Sequence, residues 1–101
     1  MQKEVIPRIL QKQNIVMAAS TGSGKTLAYV LPAMQHLQTE EQFGYQRLPQ
    51  RPRCLILVPT RELATQVLKT VKELSHHYKV SSAAVMGGET YSLQRKSVSY
   101  F

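Results

Sequence analysis

Near the N-terminus, Val5, Ile6, Ile9 and Leu10 follow the i, i+1, i+4, i+5 spacing of a short amphipathic helix over residues 5–13. Pro7 fits such a helix only near its first turn or at a kink, and Asn14 marks its stop. Ile15 to Ala19 is an unbroken apolar run ahead of a Gly-rich turn at 20–24, the pattern of a buried strand. From Lys25 the period changes, and Leu27, Val30, Leu31, Met34 and Leu37 line one face of a second helix. Pro32 lies inside that face and is expected to kink the helix or remove one backbone bond. Residues 39–52 are polar, contain Gly44, Pro49 and Pro52, and read as a long loop. Cys54 to Val58 is a second buried strand, closed by Pro59. Thr60 can cap a helix over 61–75, whose apolar face is Leu63, Val67, Val71 and Leu74 with Ala64 and Leu68. A third strand over 80–86 ends at Gly87-Gly88, with a further helix starting near Glu89.

This alternation of helices and strands with short links predicts an α/β fold: a parallel sheet with crossover helices, three strands being present. Three strands make a thin sheet, and a parallel sheet is normally covered on both faces. Residues 1–101 therefore read as the N-terminal portion of a larger domain.

Composition narrows the chemistry. Hydrophobic residues make up 43% and charged residues 19%, which suits a packed domain and not a disordered chain. The 13 Lys and Arg outnumber the six acids, and the net charge of +7 favours a polyanionic partner. All six acids are glutamate. The absence of aspartate excludes an Asp nucleophile, an Asp metal ligand and a Walker B aspartate. The single cysteine excludes an internal disulfide, and with three histidines it offers no structural zinc spacing. No apolar run approaches the ~20 residues that span a bilayer, and no signal-peptide core follows Met1. An intracellular protein without a membrane partner is expected.

The turn at Thr21-Gly22-Ser23-Gly24-Lys25-Thr26 carries the most specific chemistry. Glycines at 22 and 24 allow crowded or left-handed backbone, so that successive N–H groups can face one anion. The helix after it contributes unpaired N–H groups and the positive end of its dipole. Lys25 brings a mobile charge to β- and γ-phosphates, and the Thr26 hydroxyl is a ligand for Mg²⁺. Ala19 stands where the general G-x-x-x-x-G-K-[ST] pattern has its first glycine.

Ala19-Ser20-Thr21-Gly22-Ser23-Gly24-Lys25-Thr26 resembles the first motif of DEAD-box RNA helicases, in which alanine at that first position is usual. Pro59-Thr60-Arg61-Glu62-Leu63-Ala64 is similar to that family's second signature, and Gly87-Gly88 with Gln94 to its Gly-Gly element. Gln2 matches the glutamine of the family's Q motif. The resemblance implies a partial RecA-like P-loop NTPase domain binding ATP and Mg²⁺. Ser20 to Thr26 would hold the phosphates, Gln2 would read adenine, and Lys25 and Thr26 would serve catalysis. It also implies that Pro59, Thr60, Arg61, Gly87 and Gly88 meet the backbone of single-stranded RNA. The family's Asp-Glu-Ala-Asp acids and its second RecA-like lobe are absent from the 101 residues, so the chain alone is expected to be hydrolytically incomplete.

Two other classes account for part of the pattern. A small-molecule kinase would explain residues 21–26 but not 59–64 or 87–88, and a non-catalytic fragment could bind RNA or a partner without turnover. Other features read as ordinary structure. Lys69, Lys72 and Lys79 read as a solvated face and His76-His77 as diverging neighbours, while Cys54 is expected to be a buried packing residue. Arg47, Arg51 and Arg53 form the densest local basic cluster, in the expected loop.

Overall fold

The computed structural model describes residues 2–18, 24–48, 50–88 and 94, which fall into two compact units divided after Tyr45. The helix expected near Glu89 lies outside the described residues apart from Gln94, which is helical.

The first unit is a pair of packed helices, α1 (Gln2–Leu10) and α2 (Lys25–Gln42). Val5, Val30 and Met34 from the two apolar faces read from the sequence are buried together with Ala28 in one small core, whereas Leu10 of the expected α1 face is exposed. Both helices continue through their prolines. Pro32 is fully buried, and its missing N–H leaves the carbonyl four residues back without a helical donor. The helix nevertheless runs on because the apolar face around Pro32 is covered.

Each helix of this unit ends in the same way. After α1, the Lys12 N–H donates to the Ile9 carbonyl at 2.8 Å and the Gln13 N–H to the Arg8 carbonyl at 3.1 Å. After α2, the Gly44 N–H donates to the Glu41 carbonyl at 3.1 Å and the Tyr45 N–H to the Glu40 carbonyl at 2.9 Å. This nested pair of bonds is the Schellman ending, which needs one left-handed residue. Gly44 supplies it at φ 101°, whereas Lys12 supplies it at φ 62°, where a side chain is strained.

The second unit is organised by α3 (Arg61–Tyr78), three residues longer than the periodicity predicts. Thr60 caps it as expected: its backbone is extended and its Oγ1 accepts from the Leu63 N–H at 3.2 Å. Val67 is buried, with Ala64, Leu68, Val71 and Leu74 partly covered beside it. Residues 80–87 return along α3 in the opposite direction. Lys72 Nζ donates to the Ser82 carbonyl at 2.7 Å, and further back Thr65 Oγ1 donates to the Met86 sulfur at 3.8 Å.

The expected sheet is where the structure departs from the sequence reading. Among the described residues, the runs at 15–19, 54–58 and 80–86 form no strand. The side chains of 15–18 and 80–87 still keep a strand's period of two. Val80, Ser82, Ala84 and Met86 are partly covered while Ser81, Ala83, Val85 and Gly87 are exposed, and Ile15 and Met17 alternate with Val16 and Ala18. The physical reason is that a strand is defined by a neighbour that takes its backbone donors and acceptors, and alternation alone cannot provide one. The faces turned away from the helices are bare: Val16 is 100% exposed, Leu57 83%, Leu55 78% and Val85 67%. Cys54, expected to be buried in the second run, is exposed as well. No helix among the described residues is long and apolar enough to cross a membrane.

Candidate functional site

Of the residues expected to hold ATP, Ser20, Thr21, Gly22 and Ser23 lie outside the described residues, whereas Gln2, Gly24, Lys25 and Thr26 lie within them. Gly24 is the N-cap of α2 at φ 80° and ψ 24°, a left-handed conformation that only glycine adopts cheaply. It offers no side chain to the first-turn N–H groups of α2. An anion suits a helix N-terminus by charge and by direction. Lys25 and Thr26 follow on the first turn, both partly buried.

Gln2 belongs to this site by position. A Cβ built on Gly24 would lie 2.5 Å from Gln2 Nε2 and 3.5 Å from its amide carbon. The amide therefore rests on the bare Cα of Gly24, and Gln2 is partly buried instead of standing in solvent at the start of a helix. Two sequence signals 22 residues apart, one strong and one weak, thus meet in space. Gly24 does two things: it turns the chain left-handed and it makes room for the glutamine.

The second set of expected residues gathers at the N-terminus of α3. Arg61 Nη1 donates to the Gly87 carbonyl at 3.3 Å, and a Cβ on Gly88 would come within 2.7 Å of the same nitrogen. Gly88 sits at φ 84°, so its glycine is required by the backbone, and the guanidinium lies over it. Arg61, Gly87 and Gly88 form one cluster, with Thr60 and Pro59 exposed just ahead of Arg61. The Thr60 oxygen faces inward to its cap, and a hydroxyl can accept there while its proton serves another acceptor. Backbone turns, a guanidinium and a helix N-terminus are groups that meet phosphates without reading bases.

Some contacts had no local signature. His36 on α2 lies 2.8 Å, through Nε2, from the Ile9 carbonyl, and so ties α2 to the end of α1. Arg47, from the basic loop, donates to the Lys79 carbonyl just past α3. The Gln94 side chain accepts from the Met86 N–H. The first two join residues 27 and 32 positions apart and the third residues eight apart. Two surface hollows, of about 430 Å³ and about 510 Å³, are lined around Phe43 and His36 and around Leu68 and Lys72, and contain none of the expected site residues. Desolvation raises the Cys54 pKa above its ordinary value despite the residue's exposure. Among the described residues, no group of three or more His, Cys or acidic side chains is placed to hold a metal ion.

Comparison with known proteins places the chain in a family. The model of the DEAD/DEAH box helicase family matches residues 1–100. The chain is 42% identical over 94 residues to DEAD-box ATP-dependent RNA helicase 39 of Arabidopsis thaliana, covering 92% of the chain and 15% of that protein. It is 41% identical over 90 residues to ATP-dependent RNA helicase SrmB of Haemophilus influenzae, covering 89% of the chain and 20% of that protein. With ATP-dependent RNA helicase RhlB of Shewanella sediminis it shares 43% identity over 91 residues, which is 90% of the chain and 21% of that protein. The chain thus spans about a fifth or less of the length of these relatives. The matches favour the helicase reading over a small-molecule kinase. A glycine-capped helix beneath a glutamine, an Arg–Gly-Gly cluster and a match across nearly every residue lead to one conclusion: the chain belongs to the DEAD/DEAH box helicase family, whose fold is RecA-like.

Proposed function

We propose that the chain is the ATP- and RNA-binding portion of a DEAD-box RNA helicase, with the nucleotide held at the start of α2 and single-stranded RNA at the start of α3. The observation that carries this reading is the Gln2 amide seated on left-handed Gly24, which puts a hydrogen-bonding side chain beside the N-terminus of α2. A phosphate group suits the helix end, with Lys25 as its cation. A purine edge suits an amide that can donate and accept at once. Thr26 would be the protein's hydroxyl ligand to Mg²⁺ bound with the nucleotide. RNA would run over Pro59, Thr60, Arg61, Gly87 and Gly88 by backbone contacts.

The same reading includes a parallel sheet in which 15–19, 54–58 and 80–86 are the strands and α2 and α3 the crossover helices. It is supported by the preserved alternation in 80–87 and by the return of that segment antiparallel to α3, as a crossover requires. ATP binding would favour closure of two lobes around RNA, which requires each ligand to prefer the closed state. The 101 residues hold no aspartate, and phosphoryl transfer needs acids that fix Mg²⁺ and orient water, so this portion binds without turning over. The reading makes the protein intracellular.

The test is equilibrium binding of a fluorescent ATP analogue to the chain and to Lys25→Ala, with and without single-stranded RNA. Loss of about tenfold or more in the variant, together with RNA-dependent tightening in the wild type, is expected. Equal binding by the two proteins would sink the nucleotide site, and indifference to RNA would sink the coupling.

A further inference from the structure

Gln94 is a polar residue only 8% exposed, and its side-chain oxygen accepts a hydrogen bond from the backbone N–H of Met86. Met86 is the last residue before Gly87-Gly88. On the other side of the turn, Arg61 Nη1 donates to the Gly87 carbonyl at 3.3 Å. The peptide groups leading into the two glycines are therefore held by two side chains from different helical segments, one through a donor and one through an acceptor. Gly88 turns left-handed immediately afterwards, at φ 84°.

The arrangement is more than ordinary satisfaction of a buried amide. A glycine pair has the widest choice of backbone angles of any dipeptide, so its shape is set by what grips its ends. The Met86 N–H is one grip, and its acceptor is nearly withdrawn from water, where water competes least for the bond. Met86 itself packs on α3 through its sulfur, which receives the Thr65 hydroxyl at 3.8 Å. The turn is thus referenced to α3 twice, through Arg61 and through Met86, and Gln94 holds Met86 from a third side.

We propose that Gln94 is a positioning residue for RNA binding, whose side-chain oxygen fixes the Met86 N–H and thereby sets the Gly87-Gly88 backbone in the form that meets a sugar–phosphate strand. This rests on the RNA reading above. Gln94 does not itself touch the RNA. Its removal leaves the charge of the surface intact and frees the turn.

The experiment uses the full chain and the variants Gln94→Leu, which removes the acceptor at similar volume, and Gln94→Glu, which keeps it. Two measurements are made: hydrogen exchange of individual backbone amides, and affinity for a fluorescein-labelled single-stranded oligouridylate. In Gln94→Leu the Met86 amide is expected to exchange about tenfold faster while amides around Val67 in α3 keep their rates. Oligouridylate affinity should fall about five- to tenfold, and Gln94→Glu should restore the Met86 protection. An unchanged Met86 amide in Gln94→Leu would overturn the proposal. So would equal acceleration throughout α3, which marks a core residue and not a positioning one. A wild-type chain that binds no oligouridylate would sink the RNA reading beneath the proposal, whereas normal binding by both wild type and Gln94→Leu would sink the role of Gln94 alone.

Discussion

The two units of this chain, the one proposed to hold nucleotide and the one proposed to hold RNA, are built on different physics. In the first unit two helices bury Val5, Ala28, Val30 and Met34 against each other, and the site is a by-product of that packing: α1 carries Gln2 to the end of α2. In the second unit one helix buries only Val67 among its hydrophobic residues, and polar side chains clip backbone to it. Lys72 holds the Ser82 carbonyl, Arg47 the Lys79 carbonyl, Arg61 the Gly87 carbonyl and Gln94 the Met86 N–H. Apolar packing is non-directional and strong per residue, while a single exposed hydrogen bond contributes little net stability. The contrast says which half tolerates losing a side chain.

The largest effect should come from breaking the packed half. Met34→Ala removes a nearly fully buried side chain and is expected to cost about 2–4 kcal/mol in urea unfolding. Lys72→Ala, which removes one clip from the other half, should cost well under 1 kcal/mol because the lysine is exposed. Similar losses from both variants would mean that the two halves do not differ in kind.

Next in size are the left-handed glycines, which separate backbone strain from crowding. Gly24→Ala meets both: a φ of 80° and a Cβ 2.5 Å from Gln2 Nε2. Gly44→Ala meets strain alone, since nothing lies within 4 Å of the added carbon at φ 101°. About 1 kcal/mol is expected at Gly44 and about 1–3 kcal/mol at Gly24. Adding Gln2→Ala to Gly24→Ala should recover the excess but not the strain. If the double variant recovers nothing, the glutamine is not seated on the glycine.

What the sequence revealed follows the same division between local and distant causes. The face of α2, most of that of α3 (Leu63 is exposed), the Thr60 cap and the glycine at 24 were legible because helix period, cap chemistry and left-handed turns are set within four or five residues. Sheet pairing was not, because it depends on partners that a segment's own pattern does not contain. The runs at 54–58 and 80–86 carry strand-like sequence, yet among the described residues they form no strand. For the sites, each motif was readable in itself, but not the seating of Gln2 on Gly24 or the grip of Arg61 on Gly87. Lys12 shows a third limit. Its left-handed conformation follows from the way α1 must turn, and no glycine advertised it. Lys12→Gly should accordingly stabilise the first unit by about 0.5–1 kcal/mol in the same unfolding assay.

The smallest effect tests whether the polar clips are selective. The Ser82 hydroxyl oxygen is buried without a hydrogen-bond partner, although the carbonyl of the same residue accepts from Lys72. An unpaired buried hydroxyl has lost its hydration and gained nothing in exchange, so deleting it should be neutral or stabilise by up to about 1 kcal/mol. Ser82→Ala keeps the backbone carbonyl and therefore the Lys72 clip. If the second unit is held through backbone groups, this variant should unfold at or slightly above the wild-type urea midpoint, and adding Lys72→Ala should lower the midpoint by the same amount in both backgrounds. A clear loss of stability from Ser82→Ala would mean that the hydroxyl has a partner in solution, and that side-chain bonding within segment 80–87 contributes to holding it on α3.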